Sequence, residues 1–200
     1  MGARKVRGAL DEAPRRPQVA RAENRTKDRK ELTMNDRQVY IRIATPSDRE
    51  KLRAMFARSS SKTICRRFHT PFPEVPNWMV TLMLDADHHH KESLVAVAEE
   101  NVVGHAMYAR LGDDGEAEMA IVVEDEWQSM GVGKSLLSEL EERATLRGIE
   151  TFVGEVLGEN RPMLALAAKS FAGTGYAIED GAYHARMPLR EAAAPDLRAA

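Results

Sequence analysis

Apolar and polar residues alternate along Val39-Tyr40-Ile41-Arg42-Ile43, the period-two pattern of a half-buried strand. Thr45-Pro46-Ser47-Asp48 interrupts it. Leu52, Met55 and Phe56 then recur at helical spacing, with Ser47 as the expected N-cap. Ser59-Ser60-Ser61 ends that helix, and a second short one is expected over residues 62–68. Pro71, Pro73 and Pro76 forbid regular helix beyond it, and a third helix is expected over 77–84. Strands follow over 93–99 and 102–111, with a turn at Asn101. Gly112-Asp113-Asp114-Gly115 then predicts a hairpin into a strand over 116–123.

The period now changes. Val132, Leu136, Leu137, Leu140 and Ala144 fall on one helix face, and Gly148 is placed to end that helix. A strand is expected over 150–157 and a helix over 160–171, with Asn160 as N-cap and Pro162 in the first turn. Gly173-Thr174-Gly175 breaks the pattern, and two strands close the chain at 176–178 and 182–187. The order β-α-α-(α)-β-β-β-α-β-α-β-β predicts an α/β fold. Its mixed, mostly antiparallel central sheet has about seven strands, with about four helices packed on its faces.

Length and charge refine this picture. The 200 residues, 43% of them hydrophobic, suffice for one packed domain with tails. Residues 1–38 show little apolar periodicity and carry 11 Lys+Arg against 6 Asp+Glu, so a disordered basic tail is expected there. Met34 is a second candidate start of the chain. The domain is expected over 39–189, with a flexible tail over 190–200. Beyond residue 38 the balance reverses to 18 Lys+Arg against 25 Asp+Glu. An acidic body disfavours nonspecific nucleic-acid binding and suits a positively charged partner such as a surface lysine. The single Cys65 excludes an intramolecular disulfide and fits a reducing compartment. No apolar run is long enough for a membrane span and no signal-peptide core follows the basic N-terminus, so a cytoplasmic protein is expected. His88-His89-His90 reads as a solvated loop, and no metal site is expected.

The chemistry concentrates where the strand Ile121-Val122-Val123 runs into Gln128-Ser129-Met130-Gly131-Val132-Gly133-Lys134 and a long helix. The first N–H groups of a helix lack intrahelical partners and carry partial positive charge, which suits a pyrophosphate. Gly131 and Gly133 let phosphate oxygens approach the main chain, and Lys134 adds a charge. Gly133-Lys134-Ser135 imitates the end of a P-loop, but Gln128 stands where that motif needs its first glycine, and Leu136 likewise excludes a dinucleotide G-x-G-x-x-G. A helix that starts near glycines without any ligand remains open on spacing alone.

This segment resembles the acyl-CoA-binding motif Q/R-x-x-G-x-G/A of the GNAT superfamily of N-acetyltransferases. The resemblance covers roughly residues 39–189. Ala117-Glu118-Met119-Ala120-Ile121-Val122-Val123, Gly154-Glu155-Val156-Leu157 and Glu159-Asn160-Arg161-Pro162-Met163-Leu164-Ala165-Leu166-Ala167 are similar to the bacterial Pat-type protein lysine acetyltransferases. The resemblance implies acetyl-CoA as cosubstrate. The segment Ile121, Val122 and Val123 would meet the pantetheine, Ile121 and Val123 through their main chain where the strand splays from its neighbour. Ser129, Met130, Gly131, Val132, Gly133 and Lys134 would cradle the pyrophosphate. Asn160 would bind the pantetheine arm or the acyl carbonyl region. Many members carry a tyrosine seven residues after the asparagine as general acid. Here that position is Ala167, so no acid is assigned.

A lysine amine arrives protonated, with a reference pKa of about 10.4, and must lose a proton before it attacks a thioester. Glu118 is the expected general base, as the Pat-type motif implies, and Glu116, two residues away on the same strand face, is the runner-up. The acceptor expected from the resemblance is a protein with an exposed lysine, such as an acyl-CoA synthetase. A small-molecule amine, or acyl-CoA binding without catalysis, are the alternatives. An open acidic groove would favour the first and a closed pocket the second. Arg66 and Arg67 are expected on the surface or in salt bridges.

Overall fold

A computed structural model of the chain describes residues 30–34, 37–179 and 181–190. Among the described residues, eight strands form one sheet in the order β1-β2-β3-β4-β5-β6-β8-β7. They are β1 Lys30–Met34, β2 Arg37–Ile43, β3 Lys91–Ala98, β4 Asn101–Leu111, β5 Glu116–Val123, β6 Thr151–Leu157, β7 Gly175–Glu179 and β8 Ala182–Pro188. Five helices accompany it: α1 Arg49–Arg58, α2 Ser61–Phe68, α3 Asn77–Leu84, α4 Val132–Leu146 and α5 Arg161–Ser170. The expected mixed, mostly antiparallel α/β sheet is present. It has one strand and one helix more than the approximate counts.

The extra strand is β1. It pairs antiparallel with β2 from Lys30↔Ile41 to Met34↔Arg37, and Leu32 packs against the core. Ordered structure therefore begins before residue 39; residues 1–29 and 191–200, where the remaining tails were expected, lie outside the described residues. β1 gives no clear signal in the sequence because Lys-Glu-Leu-Thr-Met carries only two apolar residues, too few for a period.

The helices divide the core in two. Leu52, Met55, Phe56, Ile64, Val80 and Leu84 from α1, α2 and α3 cover one face of the sheet. Val132, Leu136, Leu137, Leu140 and Ala144 from α4, with Ala167 from α5, cover the other. The central strands are consequently buried on both sides: β3 is buried continuously from Glu92 to Ala98.

Two local expectations shift. Ser47 is not the cap of α1. Pro46–Asp48 forms a 3-10 turn, and the Asp48 carboxylate accepts from the Thr45 backbone N–H at 2.8 Å and its hydroxyl at 3.0 Å. Asp48 is buried and takes a two-pronged ion pair from Arg42 at 2.7 and 2.6 Å. Burial alone would raise its pKa, but Arg42 and Thr45 hold it below the ordinary value. The β3–β4 turn is made by Glu99-Glu100, at φ 48° and 66°, not by Asn101. Asn101 opens β4 and donates its side-chain amide to the Glu99 carbonyl at 3.1 Å.

One irregularity positions everything that follows. β5 and β6, the only parallel pair among the described strands, register at just Glu116↔Thr151, Ala117↔Phe152 and Glu118↔Val153. Beyond Glu118 they part. β5 continues against β4 to Val123, and β6 continues against β8 to Leu157, leaving a wedge open between them.

Candidate active site

The wedge opens into a cleft of about 750 Å3. β5 supplies Glu118 through Val123, the loop and start of α4 supply Gln128, Ser129, Gly131, Gly133 and Lys134, and α5 supplies Asn160, Met163 and Leu166. The C-terminal half of α2 closes the remaining side.

Backbone alternation explains why β5 faces the opening with polar groups. The Glu124 N–H donates to the Val103 carbonyl at 3.0 Å, so the even-numbered residues of β5 bond to β4. The main-chain groups of Met119, Ile121 and Val123 therefore point toward β6, where no strand meets the last two. The Val123 carbonyl is taken by the Gln128 side-chain amide at 2.9 Å. The Val123 N–H and both groups of Ile121 remain for a ligand. Val122 lines the cleft but turns its side chain to the α1–α3 core.

At the far end of β5 the chain makes a 3-10 turn and enters α4. Ser129 at φ 62° and Gly131 at φ 96° curl the main chain, a shape associated with anion-binding concavities. No side chain caps α4, and the first intrahelical bond runs from the Ser135 N–H to the Gly131 carbonyl. The N–H groups of Val132, Gly133 and Lys134 are thus free of helical partners. The Val132 side chain is core and Met130 packs against it, so of the expected cradle these two offer only backbone. A Cβ on Gly133 would lie 3.2 Å from Leu166 of α5, so its absence also permits close helix packing.

Asn160 caps α5 as expected, its Oδ1 accepting from the Met163 N–H at 3.4 Å, and it lines the cleft. Glu118 lies exposed at the apex of the wedge, on the α2 side of the sheet. Glu116 does not reach the cleft; it is held by an ion pair to Arg186 of β8. Ala167 is wholly buried in the core, and no tyrosine is among the cleft residues.

Several cleft residues had no signal in the chain. Arg66 and Arg67 are neither plain surface nor salt-bridged: both line the cleft, and both bury a guanidinium Nε that has no hydrogen-bond partner. Arg66 reaches the Glu159 carbonyl at 3.4 Å, and His69 reaches the Glu155 carboxylate at 3.2 Å, so α2 spans the wedge to the β6 side. The N-terminus of α2 is fixed by Asp125. Its carboxylate accepts from the Ser60 N–H and hydroxyl, both at 2.7 Å, and from the Thr63 hydroxyl at 2.8 Å. Burial would raise the Asp125 pKa, but these donors bring it below the ordinary value. Arg58 of α1 grips the buried Glu124 with two bonds of 2.8 Å. The cleft holds Arg66, Arg67, Lys134 and Lys169 against Glu118 and Glu155, so the acidity of the whole body does not extend to it. Among the described residues, no helix is long and apolar enough to cross a membrane, and no group of His, Cys, Asp and Glu could hold a metal ion.

Known proteins share this arrangement. The acetyltransferase (GNAT) family model matches residues 54–172, more than half of the chain. An acetyltransferase of Pseudomonas aeruginosa, PA5475, is 28% identical over 142 residues, covering 68% of this chain and 76% of its own. The L-amino acid N-acetyltransferase AaaT of Escherichia coli is 28% identical over 156 residues, covering 73% and 93%. The GNAT domain of S. lividans PAT superposes with a TM-score of 0.75 at 26% identity, covering 82% of this chain and 98% of that domain. With an uncapped helix start beside a splayed parallel strand pair, and the family motif running through both, the chain belongs to the acetyltransferase (GNAT) family and is an acetyl-CoA-dependent N-acetyltransferase.

Proposed function

We propose that the enzyme transfers the acetyl group of acetyl-CoA directly to a lysine side chain of a protein, with Glu118 as general base. The observation that carries this reading is the position of Glu118. It is a carboxylate at the apex of the wedge, at the end remote from the phosphate-binding helix start.

In this reading the pyrophosphate rests on the N–H groups of Val132, Gly133 and Lys134, with the Lys134 ammonium beside it. The pantetheine runs along the open edge of β5 and bonds to the free main-chain groups of Ile121 and Val123. Glu118 takes a proton from the acceptor ammonium, directly or through water. The freed amine attacks the thioester carbon, and the C–S bond breaks as the tetrahedral intermediate collapses. The attacking nitrogen sheds its second proton, which passes through water to the departing thiolate of pKa near 8–9, without a tyrosine at position 167.

Similarity to the PAT domain supports a lysine acceptor, and an acyl-CoA synthetase is the protein that the sequence resemblance suggests. The lone thiol of Cys65 is consistent with a reducing cytoplasm. A second reading, acetylation of a small amine, is favoured by the cationic balance of the cleft and by the resemblance to an amino-acid N-acetyltransferase.

Glu118→Gln tests the base. Turnover should fall by about a hundredfold to ten-thousandfold, while acetyl-CoA affinity by calorimetry stays the same; retained turnover would sink the assignment. Labelled acetyl-CoA, offered with lysine peptides, lysate proteins and small amines, tests the acceptor. Label confined to small amines would overturn the lysine reading.

A further inference from the structure

We infer that the acceptor presents a carboxylate beside its reactive amine, and that Arg67 receives it. This rests on the acceptor side of the site proposed above and specifies what that side selects.

Arg67 lies on α2, above β4 and β5, on the sheet face to which Glu118 turns. Its contacts are weak for so strong a donor. One Nη donates to the Met107 sulfur at 3.8 Å, and the guanidinium lies 5.0 Å from the centre of the neighbouring Phe68 ring. Its Nε is buried without a partner. Glu118 is near enough to act electrostatically on Arg67, yet no ion pair joins the two. A half-buried guanidinium with its Nε sealed off and unpaired is costly to maintain, and its planar fork matches a carboxylate in two bonds.

The arrangement is a two-point site. Glu118 at the apex receives the amine, and Arg67 on the overlying helix receives an anion a short distance away. His105, close to Arg67, adds no second positive charge. Burial first, then the Arg67 charge, lower its pKa to about 3, so it is neutral at physiological pH. A carboxylate so placed belongs either to a free amino acid or to an acidic residue next to the target lysine. The recognition chemistry is the same for both.

Steady-state kinetics on matched substrate pairs tests this. Free amino acids are compared with their amides, and lysine peptides flanked by Asp or Glu with the Asn or Gln versions. In the wild-type enzyme the carboxylate member should be preferred in kcat/KM by about tenfold to a hundredfold. Arg67→Gln should abolish that ratio, chiefly through KM, and Arg67→Lys should retain part of it. Because the ratio is taken within each variant, any change in the reactivity of Glu118 cancels. Acetyl-CoA affinity and the melting transition of each variant verify the fold. Peptide acetylation indifferent to flanking charge would overturn the carboxylate site but leave the lysine reading standing. Preference for free acids over amides, with no peptide turnover, would overturn the lysine reading and support Arg67. An unchanged ratio in Arg67→Gln, or loss of acetyl-CoA affinity alone, would assign the guanidinium elsewhere and refute the inference.

Discussion

Glu118 and Glu116 show how far single residues can be read. Both sit on one strand with the same side-chain phase, and spacing does not separate them. The contrast comes from partners distant in sequence: Arg186 holds Glu116, whereas Glu118 borders the opened wedge. Arg67 was further from view, because two arginines on an amphipathic helix look like solvated charge until the cleft around them is seen. His105 carries a residue-scale prediction. Its folded pKa of about 3 lies below the ordinary 6.5, so the unfolded chain binds the proton first as pH falls. Stability is therefore full above about pH 6.5 and declines toward pH 3, by up to about 1.4 kcal/mol per pH unit. Denaturant titrations between pH 7 and 5 should show this slope reduced by one proton in His105→Gln. An identical slope would contradict the assignment.

Among elements, the start of α4 was legible and the anchoring of α2 was not. The glycines, the helix periodicity and the position of Gln128 lie within a dozen residues, so local sequence carries them. Gly131 at φ 96° is a conformation that a side chain disfavours by about 1–2 kcal/mol. Gly131→Ala should therefore reshape the cradle, and acetyl-CoA affinity should drop more than the melting temperature does. The reverse order would argue against backbone N–H recognition of the pyrophosphate. The loop between β5 and α4 is tied to α1 through Glu124. Removing Arg58 leaves the Glu124 carboxylate buried without its cation, and Arg58→Met should cost about 1–3 kcal/mol in urea unfolding. KM for the acceptor should rise too, since α2 follows α1 directly and borders the cleft.

At the scale of the whole molecule, the sheet separates stability from function. β1 is an edge strand, and the cleft opens between the fifth and sixth strands of the order. A chain begun at Met34 would lose β1 and the packing of Leu32. It should melt at a lower temperature while binding acetyl-CoA with unchanged affinity. Weakened binding would show that the edge is coupled to the site. Local sequence sufficed for the strands and helices of residues 39–189, the mixed sheet and the glycine-marked start of α4, because periodicity and glycine chemistry are local. It determined neither β1, nor the α2 anchors, nor which charges line the cleft. β1 carries too few apolar residues for a period, and the α2 anchors and cleft charges depend on residues tens of positions apart brought together by the sheet, as Asp125 and Ser60 are. That cations outnumber carboxylates in the cleft of an acidic protein emerges only once the chain is folded, because those side chains come from separate elements.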